Sequence, residues 1–129
     1  MSDSGRASDG LSGIARLNRA TKVGFTALAW AFRNEEAFRL EVLGAVVLVP
    51  LGLWLGHGGV ERALLAAAIL QVMIVELLNT GIEVVVDRIS IERHPLSGLA
   101  KDLGSAAVMI SLLLATTIWA SILVPRVLS

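Results

Sequence analysis

Three long apolar stretches, separated by short charged segments, dominate the pattern of this 129-residue chain. They cover about residues 42–58, 63–86 and 103–124. A helix rises about 1.5 Å per residue, so stretches of this length cross or nearly cross a hydrocarbon core of about 30 Å. The pattern predicts three transmembrane helices.

A further helix is predicted before the spans, over residues 14–33. Its apolar side chains recur at helical spacing on one side, and its basic side chains lie opposite. This arrangement is typical of a helix that lies in a membrane interface, although a soluble helix packed on a core shows it too. Residues 1–13 are small, polar and rich in glycine and serine, and are predicted to be disordered. Residues 14–129 then form a single domain.

Composition and charge agree with a membrane protein. The chain is 55% hydrophobic and has no cysteine, which excludes disulfides and cysteine-ligated metals. The net charge is zero, and no nucleic-acid partner is expected. Most basic residues precede the first span or lie in a predicted charged loop at 87–102, whereas Arg62 and Arg126 lie on the other side. The positive-inside rule therefore places the N-terminus and residues 87–102 in the cytoplasm and the C-terminus on the far side.

The second span carries polar residues that need an explanation. Glu76, Asn79 and Glu83 fall within about 60° of one another on one helix face, and Asp87 continues the same stripe. Near the middle of a span each acid costs about 2.5–3.5 kcal/mol. A three-helix monomer has little interior to cover such a stripe. We therefore expect oligomerisation, or a metal or substrate that satisfies the acids.

Three functions are compatible with this stripe. Buried polar groups can specify helix assembly alone, or relay protons and ions along a transport path. Because the polar groups occupy only half of one span, no through-pore is indicated. The third hypothesis is an interfacial enzyme: the acids lie beside a segment carrying His94, Lys101 and Asp102, a set suited to Mg²⁺ and phosphate. Glu76, shielded from water, could act as its general base.

The second span and the segment after it also resemble a known family. The runs ELLNTGIEVVVDRIS and HPLSGLAKDLGSAAV, with NEEAFRLE at 34–41, are similar to the small integral-membrane prokaryotic diacylglycerol kinases. The resemblance covers about residues 15–124. It implies an all-α membrane protein, with a surface helix and three spans, that forms a homotrimer in the bacterial inner membrane. The implied reaction moves the γ-phosphate of ATP to the primary hydroxyl of diacylglycerol, with Mg²⁺ as cofactor and active sites built between protomers.

The resemblance also implies roles for individual residues. Glu76 corresponds to the catalytic base, with Asn79 ordering it and the phosphate region. Substrate contacts are implied for Glu76 and for Glu41, Arg62 and Ser105. The residues implied to bind Mg²⁺-ATP are Arg16, Glu35, Glu83, His94, Lys101 and Asp102, and of these Glu35 and Glu83 hold the metal.

The chain departs from the enterobacterial pattern around the nucleotide. Val23 stands where those members carry a tyrosine, and Arg93 and Pro95 replace a tyrosine and a glutamate that flank the histidine. These changes bear on the adenine contacts and leave the metal and phosphate residues in place. An undecaprenol kinase of the same fold is the near alternative, and a non-enzymatic or ion-conducting membrane subunit is the alternative from another class.

Overall fold

The computed structural model describes residues 9–89, 92 and 94–129. These residues form four α-helices: α1 (Asp9–Asn34), α2 (Glu36–Leu55), α3 (Gly59–Ile89) and α4 (Pro95–Leu128). The chain divides into two compact units, Met1–Glu36 and Ala37–Ser129. The described residues contain no strand, in agreement with the predicted all-α class.

The first unit consists of α1, which begins at Asp9 rather than at the predicted residue 14. Extending an existing helix costs much less than nucleating one, so the segment from Asp9 to Gly13 joins the helix despite its poor helix formers. Residues 1–8, the rest of the segment predicted to be disordered, lie outside the described residues. Every residue from Gly13 to Trp30 is exposed, so the apolar side of α1 is not covered within the chain.

The three predicted spans correspond to α2, α3 and α4, all long and apolar enough to cross a membrane. Each helix extends beyond its predicted limits, except that α2 ends at Leu55 instead of about residue 58. The chain turns between α2 and α3 at Gly58, whose φ of 86° lies in the region that glycine adopts without strain.

The predicted charged loop 87–102 is largely helical, which corrects the sequence interpretation. α4 begins at Pro95, so Lys101 and Asp102 lie inside a helix. His94 is the N-cap of α4: its Nδ1 accepts a hydrogen bond from the backbone N–H of Leu96 at 3.1 Å. Proline is favoured in the first turn because its missing N–H has no helical partner there anyway. Charge made this segment look like a loop, whereas the cap and the proline mark a helix start.

α3 and α4 form an antiparallel hairpin, the best-packed part of the second unit. Contacts between them run in reverse order along the two helices. Near the connection, Asp87 pairs with Lys101. Midway, Gln71 Nε2 donates to the carbonyl of Ser111 at 2.7 Å, and further along Trp119 Nε1 donates to the carbonyl of Leu65 at 3.1 Å. A small apolar core lies between these contacts, formed by Ala68, Val72 and Ala115 with Ile118 and Trp119.

The end of the hairpin away from Lys101 is held by Arg126, near the C-terminus of α4. Its guanidinium donates to the carbonyl of Leu55 at 2.6 Å and forms an ion pair with Glu61. α2 packs against α3 close by, because a Cβ on Gly52 would lie 2.9 Å from the Cβ of Leu65. All three helices of the second unit are therefore tied together at this end. Arg126 and Glu61 therefore lie at the same end of the hairpin.

Candidate functional site

The polar stripe of α3 is partly buried within the single chain. Glu76 is 7% exposed, Asn79 8% and Thr80 6%, whereas Glu83 is half-buried and Asp87 is exposed. The expectation that a three-helix chain has little interior for the stripe is thus wrong for its inner half. α4 covers Asn79 in this inner half, because glycine at position 104 lets α3 and α4 approach closely.

Glu76 has a second carboxyl group beside it. Glu41, on α2, lies within hydrogen-bond reach of Glu76. Oε2 of Glu41 is buried and has no hydrogen-bond partner. Two carboxyl groups at this separation repel unless a proton is shared between them. The inner end of the stripe therefore brings two acidic side chains together.

One helical turn further along α3, Asn79 connects the buried and exposed parts of the stripe. Its Nδ2 donates to Oε1 of Glu83 at 3.4 Å. Its Oδ1 is buried and unpartnered, and it lies against Gly104 of α4. The amide thus presents its donor toward the half-buried carboxylate and its acceptor toward the neighbouring helix.

Lys101 carries the positive charge of the site. Its Nζ lies 2.6 Å from Oδ1 of Asp87, and Glu83 is near enough to act on it electrostatically. The two side chains of the ion pair are 43% and 66% exposed, so water and solutes reach them. An exposed pair of this kind contributes little to stability, roughly 0–1 kcal/mol, and its partners can be exchanged. The structure therefore gathers Asn79, Glu83, Asp87 and Lys101 on facing sides of the hairpin.

The other predicted site residues of the second unit lie on α4, at its N-cap or at the start of α3. Asp102 and Ser105 are exposed on α4, and His94 is exposed at its N-cap. Arg62 donates to the carbonyl of Gly56 at 3.2 Å, in the first turn of α3. Fourteen residues separate Arg62 from Glu76, which is roughly 21 Å along a helix.

Two further predicted residues, Arg16 and Glu35, belong to the first unit. Arg16 is exposed on α1, and Glu35 is a half-buried residue between α1 and α2. The backbone N–H of Glu35 donates to the carbonyl of Ala31 at 2.8 Å. Of the three departures around the nucleotide, Val23 is exposed on α1 and Pro95 is the first residue of α4. The third, Arg93, lies outside the described residues.

A cavity of about 560 Å³ lies between α2, α3 and α4. Its lining is almost wholly apolar, and Glu41 is its one charged side chain. Along α4 the lining runs from Leu112 to Val124, a length of roughly 18 Å. The cavity therefore suits a hydrocarbon chain, and at Glu41 it adjoins the carboxyl pair.

Comparison with known proteins decides the family. The model of the prokaryotic diacylglycerol kinases matches residues 22–123. The chain is 49% identical over 114 residues to a diacylglycerol kinase of Pseudomonas aeruginosa, covering 88% of this chain and 93% of the relative. The chain belongs to the prokaryotic diacylglycerol kinase family. It is also 46% identical over 112 residues to a diacylglycerol kinase of Haemophilus influenzae, covering 87% and 95%, and 43% identical over 112 residues to one of Escherichia coli, covering 87% and 92%.

Membership of the prokaryotic diacylglycerol kinase family confirms the predicted resemblance and the predicted class, an integral-membrane enzyme that transfers phosphate to an alcohol. A kinase of this family takes ATP as co-substrate, and the candidate site can be tested for its fit to a nucleotide-bound cation. Among the described residues no three acidic, histidine or cysteine side chains could hold a metal ion together. This suits Mg²⁺ bound to nucleotide, which commonly takes one or two carboxylates and completes its shell with phosphate oxygens and water. Glu83, half-buried and held by Asn79, is suited to such a role.

The sequence does not reveal two contacts of the candidate site. Asp87 belongs to the predicted stripe, and the structure pairs it with Lys101. Gly104 has no predicted role, and its neighbour in the structure is the amide of Asn79. The antiparallel register of α3 and α4 would have found both, because it sets residues near the connection opposite one another.

Proposed function

We propose that this chain is an ATP-dependent diacylglycerol kinase that converts diacylglycerol to phosphatidic acid. The observation that supports it most is the carboxyl pair of Glu76 and Glu41 beside an apolar cavity, in a chain of this family. A lipid alcohol has hydrocarbon for the cavity and a hydroxyl for the carboxyl pair. A soluble substrate would make no use of such a cavity.

Glu76 acts as the general base. The hydroxyl oxygen of diacylglycerol attacks the γ-phosphorus of ATP in line with the bridging oxygen, while Glu76 accepts the hydroxyl proton. The bond from the γ-phosphorus to that bridging oxygen breaks, and ADP leaves. Such a transfer depends on positioning and on charge stabilisation rather than on covalent chemistry. Burial of Glu76 supports this role, because the base must reach a hydroxyl at the lipid headgroup.

The polar cluster binds the nucleotide. Lys101 holds the β- and γ-phosphates by exchanging Asp87 for phosphate oxygens. Glu83 and Glu35 would hold Mg²⁺, which would neutralise phosphate charge. Asn79 orders Glu83 and the phosphate region. The other nucleotide contacts are Asp102 to the sugar, His94 to the adenosine and Arg16 to phosphate.

Ser105 and Glu41 contact the lipid near its reacting end. A contact at Arg62 would fall on a distant part of the lipid, given its separation from Glu76 of roughly 21 Å. The active enzyme is a homotrimer in the bacterial inner membrane, with each site completed by residues of a second protomer. The N-terminus and the site face the cytoplasm, where ATP is available, and the C-terminus lies on the far side.

The direct test is transfer of radiolabelled γ-phosphate from ATP by the purified protein in mixed micelles. Diacylglycerol and undecaprenol are offered separately and together, with Mg²⁺ present or chelated. We expect labelled phosphatidic acid, dependent on Mg²⁺ and in excess over labelled undecaprenyl phosphate. Preferential labelling of undecaprenol would reassign the substrate, and transfer to neither lipid would refute a lipid kinase.

A further inference from the structure

Gly104 and Asn79 occupy one close contact between α3 and α4. Gly104 is buried, and a Cβ built on it would overlap Oδ1 of Asn79 and lie 3.1 Å from its Cγ. The amide of Asn79 therefore fills the space that a side chain at position 104 would need. No residue larger than glycine fits here without moving that amide.

The contact fixes how the Asn79 amide is oriented. Oδ1 faces Gly104 and has no hydrogen-bond donor, while Nδ2 faces Glu83. A buried acceptor without a donor is unfavourable, so the amide does not hold this position for the sake of its own hydrogen bonds. The packing against α4 retains it, and the result is a donor aimed at the Glu83 carboxylate.

We propose that Gly104 is a positioning residue for phosphoryl transfer, whose missing side chain lets the Asn79 amide lie against α4 with its donor on Glu83. This inference rests on the proposed function, in which Glu83 is a ligand of Mg²⁺-ATP. The Nδ2–Oε1 distance of 3.4 Å is near the limit for a hydrogen bond. A displacement of a few tenths of an ångström at the amide is therefore enough to release Glu83.

The chain provides matched controls for the substitution Gly104→Ala. Gly98 lies on the same helix and Gly81 on α3, and a Cβ added to either meets nothing within 4 Å. Alanine favours helix over glycine at all three positions. Only at Gly104 does the added methyl group meet another side chain, so Gly98→Ala and Gly81→Ala separate that collision from the effect on helix propensity.

The first measurement is thermal stability in detergent, without nucleotide or metal. We expect Gly104→Ala to lower the melting temperature by about 5 °C or more through overpacking, and Gly98→Ala and Gly81→Ala to leave it equal or higher. In an Asn79→Ala background the collision is absent, so Gly104→Ala should have no such effect there. If Gly104→Ala does not fold alone, the Asn79→Ala background should restore folding. An equal loss of melting temperature in both backgrounds, or no restoration of folding, would refute the proposed collision between the two side chains.

The second measurement separates positioning from packing. Among correctly folded enzyme, Gly104→Ala should lower kcat roughly tenfold and raise the Mg²⁺ concentration for half-maximal rate, while the KM for diacylglycerol stays unchanged. The double variant with Asn79→Ala should recover thermal stability but not kcat. A folded Gly104→Ala enzyme with the wild-type kcat and Mg²⁺ requirement would refute the positioning role.

The two failures can be told apart. Wild-type protein without kinase activity on lipid would overturn the proposed function, while the stability cycle would still test the contact. Active wild-type protein combined with a failed cycle would overturn the inference about Gly104 alone.

Discussion

Replacing Glu76 by glutamine separates its catalytic role from its structural one. The amide has nearly the shape of the carboxyl group, so the buried site keeps its packing. It cannot accept the hydroxyl proton of the substrate. General bases contribute about 10²–10⁴-fold to rate, which corresponds to about 3–5.5 kcal/mol. We therefore expect kcat to fall by at least about a hundredfold.

Stability should change in the opposite direction. Glu41 lies within hydrogen-bond reach of Glu76, and its carboxyl group is a neighbour that repels unless a proton is shared. In Glu76→Gln the new amide can donate to Glu41, so the protein should gain about 1 kcal/mol or lose nothing. Thermal unfolding in detergent measures this, and size-exclusion chromatography reports whether the oligomer is kept.

Glu41→Gln is the matched control, because it relieves the same repulsion from the other side. It should stabilise the protein by a similar amount, but keep kcat within about tenfold, since a polar lipid contact is worth less than a base. Initial rates with radiolabelled ATP in mixed micelles compare the two variants. Turnover of Glu76→Gln within tenfold of wild type, or equal losses in both variants, would remove Glu76 from the role of base.

Four further substitutions test the nucleotide end of the hairpin and the opposite end. Lys101→Leu should raise the KM for ATP by about 10–100-fold, because it removes a charge-assisted hydrogen bond to phosphate. Asp87→Asn should leave the KM for ATP equal or lower. An unchanged KM in Lys101→Leu would contradict phosphate binding. Glu83→Gln should raise the Mg²⁺ concentration for half-maximal rate, and an unaltered metal titration would limit Glu83 to a structural role. Arg126→Leu should lower the melting temperature, because it removes the ion-pair partner of Glu61. It should leave kcat unchanged, since Arg126 lies roughly 38 Å along α4 from Lys101.

The sequence was sufficient for the spans and for the stripe, because both are local patterns. Hydropathy depends on consecutive residues, and Glu76, Asn79 and Glu83 share a face whatever the helix packs against. The same reasoning placed the boundary of α4 wrongly. The charges between residues 87 and 102 predict a loop, whereas the capping by His94 and the proline after it begin a helix.

Contacts between helices could not be predicted, since periodicity gives a face but not a partner. Ion pairing of Lys101 with Asp87, and of Arg126 with Glu61, requires the antiparallel register of the hairpin. So does the contact of Gly104 with Asn79. A transmembrane hairpin with a short connection allows only a narrow range of registers. A sequence-based search could therefore test each of them for charge pairs at both ends.

The register explains why the two ends of the hairpin differ in chemistry. At the far end Arg126 satisfies both a carboxylate and a backbone carbonyl, so its contacts resist exchange. At the connection Lys101 has an exposed carboxylate as its ion-pair partner, which phosphate replaces in the proposed function. In the proposed function the first end holds the helices in register and the second offers a cation to the substrate. Between the two ends, the close contact of Gly104 with Asn79 fixes the register of α3 and α4 beside the residues proposed to bind the nucleotide.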